Sequence, residues 1–179
     1  AVVVLSEVIE EFPNTPAYPD ALWLRGETYY ASKEYLAARR DYKALVERGT
    51  EARFSPYMSK SLARLVDVSL RMNDLSGLDE VFAKLSQVPP NQVDAGLQYA
   101  KGKAYYFRKS YNDAKSSFAA VGRDTPYTHQ SRYFEGLVAM REAVASHTGK
   151  GPANYKAAIE AFRKATELPA DTEEHRHVG

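Results

Sequence analysis

An all-α fold, a solenoid of antiparallel helix pairs, is what this sequence predicts, and three observations predict it. A glycine-centred pattern of aromatic and alanine positions occurs twice. Apolar residues recur at spacings of three and four along the chain, and continuous strand-like alternation is absent. The glycine pattern is the most specific of the three. In residues 18–49, Gly26 is followed by Tyr29, Tyr30, Tyr35, Ala38 and Tyr42, at offsets of 3, 4, 9, 12 and 16. In residues 94–126, Gly102 is followed at the same offsets by Tyr105, Tyr106, Tyr111, Ala114 and Phe118. Mid-helix glycine costs about 1 kcal/mol relative to alanine, so its recurrence calls for a structural reason, and internal repetition outranks other sequence signals.

The elements follow in order. In residues 1–13, Val2, Leu5, Ile9 and Phe12 share one face of an amphipathic helix that Pro13 ends, the last helix of a preceding partial repeat. The proline-rich stretch FPNTPAYPD is a loop from which Asp20 is expected to cap the next helix. Repeat 1 spans 19–50, with helices over 20–32 and 35–48, Lys33 and Glu34 at the turn, and Gly49 as a stop. Repeat 2 spans 56–90, with helices over 56–73 and 76–87. It keeps the aliphatic stripe (Leu62, Leu65, Val66, Leu70) but carries Val66 at the glycine position. Repeat 3 spans 94–126, after the VPPNQ loop.

Repeat 4 spans 128–169. It has Gly136 and, in NYKAAIEAFRKATELP, the second-helix series Tyr155, Ala158, Phe162 and Ala165. Tyr155 stands 19 positions after Gly136 where the matching tyrosine of repeats 1 and 3 stands 9 after its glycine, an insertion near 146–153 of the kind that maps to inter-helix loops. Residues 170–179 are a tail or the start of another repeat. The signature positions 26, 66, 102 and 136 are spaced by 40, 36 and 34 residues.

Bulk properties narrow the function. The 179 residues carry 24 basic and 23 acidic side chains, net +1, so no global field recruits nucleic acid or an anionic membrane. No cysteine is present, which removes disulfides, thiolate nucleophiles and cysteine metal sites. No apolar run reaches the 18 or more residues of a membrane span, and AVVVL lacks the features of a signal peptide. The apolar start and the stop at EEHRHVG lead us to expect a fragment of a longer protein.

The glycine or small residue in the first helix, the tyrosine three residues on, and the alanine, aromatic and closing proline of the second helix together resemble the tetratricopeptide repeat family. The likeness is strong in repeats 1 and 3 and weakest in repeat 2. It implies a right-handed α-solenoid of about four repeats plus the leading helix. It also implies that Gly26, Gly102 and Gly136 let the partner helix approach closely, with Ala38, Ala114 and Ala158 facing them. Tyr29, Tyr105, Phe118 and Phe162 belong to the core in this reading. The phrase EEFPNTPAYPDALWLRGETYYASKEY looks like repeats of bacterial outer-membrane assembly and other envelope proteins, which implies a periplasmic or envelope location, with the cytoplasm as the alternative.

Members of that family bind partners rather than catalyse, holding a peptide or helix in a concave groove lined by the first helix of each repeat. Carried over residue by residue, the groove positions here are Trp23, Glu27 and Tyr30; Lys60, Arg64, Asp67 and Arg71; Tyr99, Lys103, Tyr106 and Phe107; and Tyr133, Phe134 and Leu137. The lysine–asparagine carboxylate clamp of the chaperone-binding branch is missing, since Trp23 and Glu27, or Tyr99 and Lys103, stand at its positions. The groove is therefore expected to prefer apolar or aromatic anchors. Trp23, Tyr30, Tyr99, Tyr106 and Tyr133 admit two readings, partner contact or padding of a superhelix interior.

The remaining candidates are weaker. His175 and His177 lack an evident third metal ligand. TGKG at 148–151 lacks the spacing and preceding strand of a phosphate loop and reads as a turn. Arg39 and Arg40 fall on an outer, solvated face. No serine, histidine and acid combination or convergent carboxylate pair is present, so no enzyme and no cofactor are expected. The functional expectation is a protein-binding scaffold. Its alternatives are a self-association module stacking through terminal helices, and a glycan or cell-wall recognition module using Trp23 and the tyrosines.

Overall fold

The computed structural model describes residues 1–85, 88, 93–147 and 155–167. Among these every regular element is an α-helix: α1 (Val2–Glu11), α2 (Ala17–Ala31), α3 (Tyr35–Glu47), α4 (Ser55–Arg71), α5 (Leu78–Leu85), α6 (Ala95–Phe107), α7 (Tyr111–Ala119), α8 (Thr128–Ala145) and α9 (Lys156–Thr166). The chain divides into two compact units, Ala1–Leu97 and Gln98–Gly179. In the first, α1 packs on α2, α2 on α3, α3 on α4, and α4 on α5; in the second, α7 packs on α8 and α8 on α9. Residues 148–153 of the insertion, the tail 170–179, His175 and His177 lie outside the described residues.

Helix α2 starts at Ala17 and has no side-chain cap, so Asp20 is a first-turn residue and not the N-cap. Pro16 and Pro19 permit the earlier start, because the first turn of a helix has no intrahelical partner for the N–H that proline lacks. Three helices end alike. Glu34 N donates to Tyr29 O and Lys33 N to Tyr30 O, with Lys33 at φ 62°. The same pair of bonds closes α4 through Asp74 and Asn73, and α6 through Ser110 and Lys109, where φ is 51° and 62°. This is the Schellman end, built on residues other than glycine.

The recurrent glycines have a different close neighbour from the expected alanines. A Cβ built on Gly26 would stand 2.8 Å from Tyr42 Cε1, one on Gly136 2.6 Å from Phe162, and one on Gly102 nearer still to Phe118. The ring sixteen residues after each glycine is thus seated on bare backbone, while Ala38, Ala114 and Ala158 are buried separately. Tyr42 and Phe118 are fully buried, and Phe162 is half-buried. Tyr29 and Tyr105, expected in the core, are half-buried as well. Leu22, Leu45 and Phe54 form one buried apolar cluster in the first unit, and Ala114, Phe118 and Val138 one in the second.

One buried ion pair joins the opening helices. Arg25 Nε and Nη2 each donate to Asp41 at 2.8 Å, and Nη1 donates to Ser6 Oγ at 3.0 Å, so α1, α2 and α3 meet at a single guanidinium. Asp41 is 1% exposed and Arg25 8%. The hydrogen bonds to Asp41 raise the Arg25 pKa against the opposing effect of burial. On the outer side, Arg39 is not simply solvated, since Nη1 donates to Asp74 at 2.7 Å and ties α3 to the turn before α5.

Two outcomes are expected in urea unfolding. Gly102→Ala lowers stability by about 1–3 kcal/mol, because the fully buried Phe118 ring cannot yield and the clash outweighs the gain in helix propensity; Gly136→Ala costs less, because the half-buried Phe162 ring can shift. Asp41→Ala leaves Arg25 charged, buried and unpaired, and costs about 3–5 kcal/mol.

Candidate functional site

In the first unit, two stripes face each other. Helix α2 contributes Asp20, Trp23, Glu27 and Tyr30, and α4 contributes Tyr57, Lys60, Arg64, Asp67 and Arg71, all at helical spacings of three and four. They pair rung by rung between residues 37 apart. Tyr57 donates its hydroxyl to Asp20. Lys60 Nζ lies 4.3 Å from the Trp23 ring centre and 4.1 Å from that of Tyr57, a cation over two aromatic faces. Arg64 grips Glu27 in a two-pronged bond of 2.8 and 2.7 Å. Tyr30 donates its hydroxyl to Asp67, which also accepts Arg71 Nε at 2.8 Å. Tyr42 Oη, from α3 beneath, donates to Glu27 at 2.6 Å.

Burial and these bonds set the local acidities. Desolvation, then the bond to Asp67, pushes Tyr30 up to about 12; desolvation and the bond to Asp20 do the same for Tyr57. Tyr42 is pushed up further by burial and Glu27. Lys60 is pulled down, chiefly by desolvation. The sequence-selected Trp23, Glu27, Tyr30, Arg64 and Asp67 are therefore brought together, with their charges answered within the face. Trp23 is a half-buried packing residue that also meets Tyr42 at 5.6 Å between ring centres.

The second unit's counterpart is aromatic. Phe134 of α8 stacks on Phe118 at 5.4 Å and receives Tyr99 and Tyr106 of α6 edge-on at 6.0 and 5.5 Å. Tyr99 also stacks on Tyr127, and Lys103 Nζ lies 5.4 Å from the Tyr99 ring centre. Phe107 stands out, 49% exposed, with Tyr106 at its edge. Tyr133 is directed to Phe162 of α9 as well as to the edge of Phe134, so it belongs partly to the α8–α9 packing. Beside this cluster, Tyr106, Phe107, Lys109, Tyr111, Arg141 and Val144 line an open hollow of about 450 Å³. Sequence reasoning missed Asp20, Tyr57 and Arg141; complementary side chains 37 residues apart were the signal for the first two.

Among the described residues no group of histidine, cysteine and acidic side chains is arranged to hold a metal, and no helix is long and apolar enough to cross a membrane. The chain matches no protein-family model and no curated protein sequence.

Spectrophotometric titration at 295 nm checks the polar rungs. Tyr30 and Tyr57 should ionise near pH 12 rather than near 10, and Tyr30→Phe should remove one of the late-titrating groups. Because the folded state raises the Tyr30 pKa, its stabilisation is complete below pH 10 and is lost as pH rises through about 12. Wild type should accordingly lose more stability across that interval than Tyr30→Phe.

Proposed function

We propose that this chain is a protein-binding scaffold of tetratricopeptide-like helix pairs, which holds a segment of a partner against the faces formed by α2 and α4 and by α6 and α8. The observation that carries the reading is the α2–α4 face itself. Trp23, Lys60, Glu27, Arg64, Tyr30 and Asp67 form an ordered, partly exposed surface, rich in rings and locked charges. Such preorganisation limits the entropy lost when a partner docks, and aromatic residues with arginine are the usual anchors of binding hot spots. The repeated seating of an aromatic ring on glycine supports the repeat assignment. The envelope-like phrase over residues 10–35 points to a periplasmic or envelope partner.

Self-association is the second reading. Val3 and Val4 of α1 are 70% and 61% exposed and leave apolar surface open.

A lysate pull-down read by mass spectrometry tests the scaffold reading. A Lys60→Glu, Lys103→Glu variant inverts charge on both faces without removing a ring, and Arg123→Glu, exposed between α7 and α8, is the control. We expect the variant to lose a partner that wild type and control both capture, with helical circular dichroism and melting unchanged. Capture unaffected by the double substitution, or no capture by wild type, overturns the reading. Mass that rises with concentration in light scattering, and is suppressed by Val3→Lys, would establish self-association instead.

A further inference from the structure

The two units contain the same corner, built once with an acid and once without. Counted from signature positions 66 and 136, Arg71 and Arg141 both lie five residues on, and Asp67 and Leu137 one residue on. The opposing helix ends match too: Tyr30 with Tyr106, Tyr35 with Tyr111, and Lys33 with Lys109, both lysines at φ 62°. In the first unit, Asp67 completes the corner. It accepts Arg71 Nε at 2.8 Å and the Tyr30 hydroxyl, while the Arg71 guanidinium lies 5.2 Å from the Tyr30 ring centre and 6.0 Å from that of Tyr35.

In the second unit Leu137 replaces the acid. Arg141 instead lines the same hollow as the Tyr106 side chain, and among the described residues no carboxylate pairs with Arg141 or Lys109. Of the acids on α8, Glu142 pairs with Lys115 and Glu135 with Arg132. The result is the hollow of about 450 Å³, walled by Tyr106, Phe107, Tyr111 and Val144 and carrying two cations. Phe107 and Val144 are 49% and 53% exposed.

We propose that this hollow binds an acidic side chain of the partner segment, carried next to an aromatic residue, whose carboxylate takes the place that Asp67 fills in the first unit. Arg141 meets the carboxylate through its planar fork of N–H donors, Lys109 adds long-range attraction, and Phe107 and Val144 cover the neighbouring ring. The site deepens the scaffold reading and rests on it, since the occupant is a segment of that partner. Charge complementarity commits the hollow to an anion: it presents two cations and no acid, whereas the equivalent corner that holds its own acid needs none.

The test uses the whole 179-residue chain, ¹⁵N-labelled, titrated with acetyl-Gly-Glu-Phe-Gly-amide and with its Gln counterpart while arginine Nε–H and backbone amide resonances are followed by NMR. The Arg141 Nε–H and the Phe107 amide should shift saturably with the Glu peptide. The Gln peptide should bind at least about tenfold more weakly, the loss of one charge-assisted hydrogen bond. The Arg71 Nε–H, already engaged by Asp67, should stay in place. Leu137→Asp, which installs the missing acid, should weaken Glu-peptide binding by a similar factor. Arg141→Gln, at an exposed position, makes the same measurement should Leu137→Asp fail to fold.

Equal binding of the two peptides, no shift at Arg141 up to about 10 mM peptide, or undiminished binding to Arg141→Gln would overturn the site. A titration that fails while partner capture remains sensitive to Lys60→Glu, Lys103→Glu removes this site alone. Capture insensitive to that double substitution removes the scaffold reading, whatever the titration shows.

Discussion

The seating of an aromatic ring on bare helix backbone is the constraint on which the other packing depends. At Gly26, Gly102 and Gly136 the absence of a Cβ leaves space that Tyr42, Phe118 or Phe162 fills. Each ring lies sixteen residues after its glycine, so one contact sets both the separation of two consecutive helices and their register. With that register set, Ala38, Ala114 and Ala158 fall into buried, close-packed positions. The glycine lowers helix propensity locally, and the buried ring compensates through contact area that alanine would block.

Register within a pair also decides what the remaining faces present. In the first unit Tyr42 serves twice: its ring covers Gly26 and its hydroxyl reaches Glu27, which then meets Arg64. Core packing and surface electrostatics are thereby coupled through one side chain. On the side of α2 toward α1 and α3, the buried Arg25–Asp41 pair is held by fixed hydrogen bonds, and its value lies in geometry as much as in energy, because a buried ion pair is strongly destabilising only when broken. The α2–α4 face is preorganised, with few free charges to offer.

The second unit reaches a related packing by other means. Where α4 has Arg64 and Asp67, α8 has Phe134 and Leu137, so hydrogen-bonded rungs give way to ring contacts around Phe134. The exchange removes an acid while keeping an arginine, and it leaves cations beside exposed apolar side chains. The two units thus meet the same helix-end geometry, with a lysine at φ 62° in each, by different side-chain chemistry.

Much of this was legible in the sequence. Helix order and the glycine positions follow from local periodicity, because a helix face is set by residues three and four apart. Trp23, Glu27, Tyr30, Arg64 and Asp67 were candidates only through the resemblance, and the structure brings them together on the facing sides of α2 and α4. Other features were out of reach. Asp20 looked like a cap because its type suits one, but Pro16 and Pro19 let α2 begin earlier. Arg39 looked solvated because Asp74 lies 35 residues away in sequence. By itself the sequence determined that the chain is helical and where small and aromatic residues recur, since both are short-range properties. Only the tertiary structure decided which ring sits on which glycine, which charges neutralise each other across α2 and α4, and that Arg141 shares a hollow with Tyr106 and no acid. Those depend on the register between helices, and a shift of one residue there turns each side chain by about 100° around its helix axis.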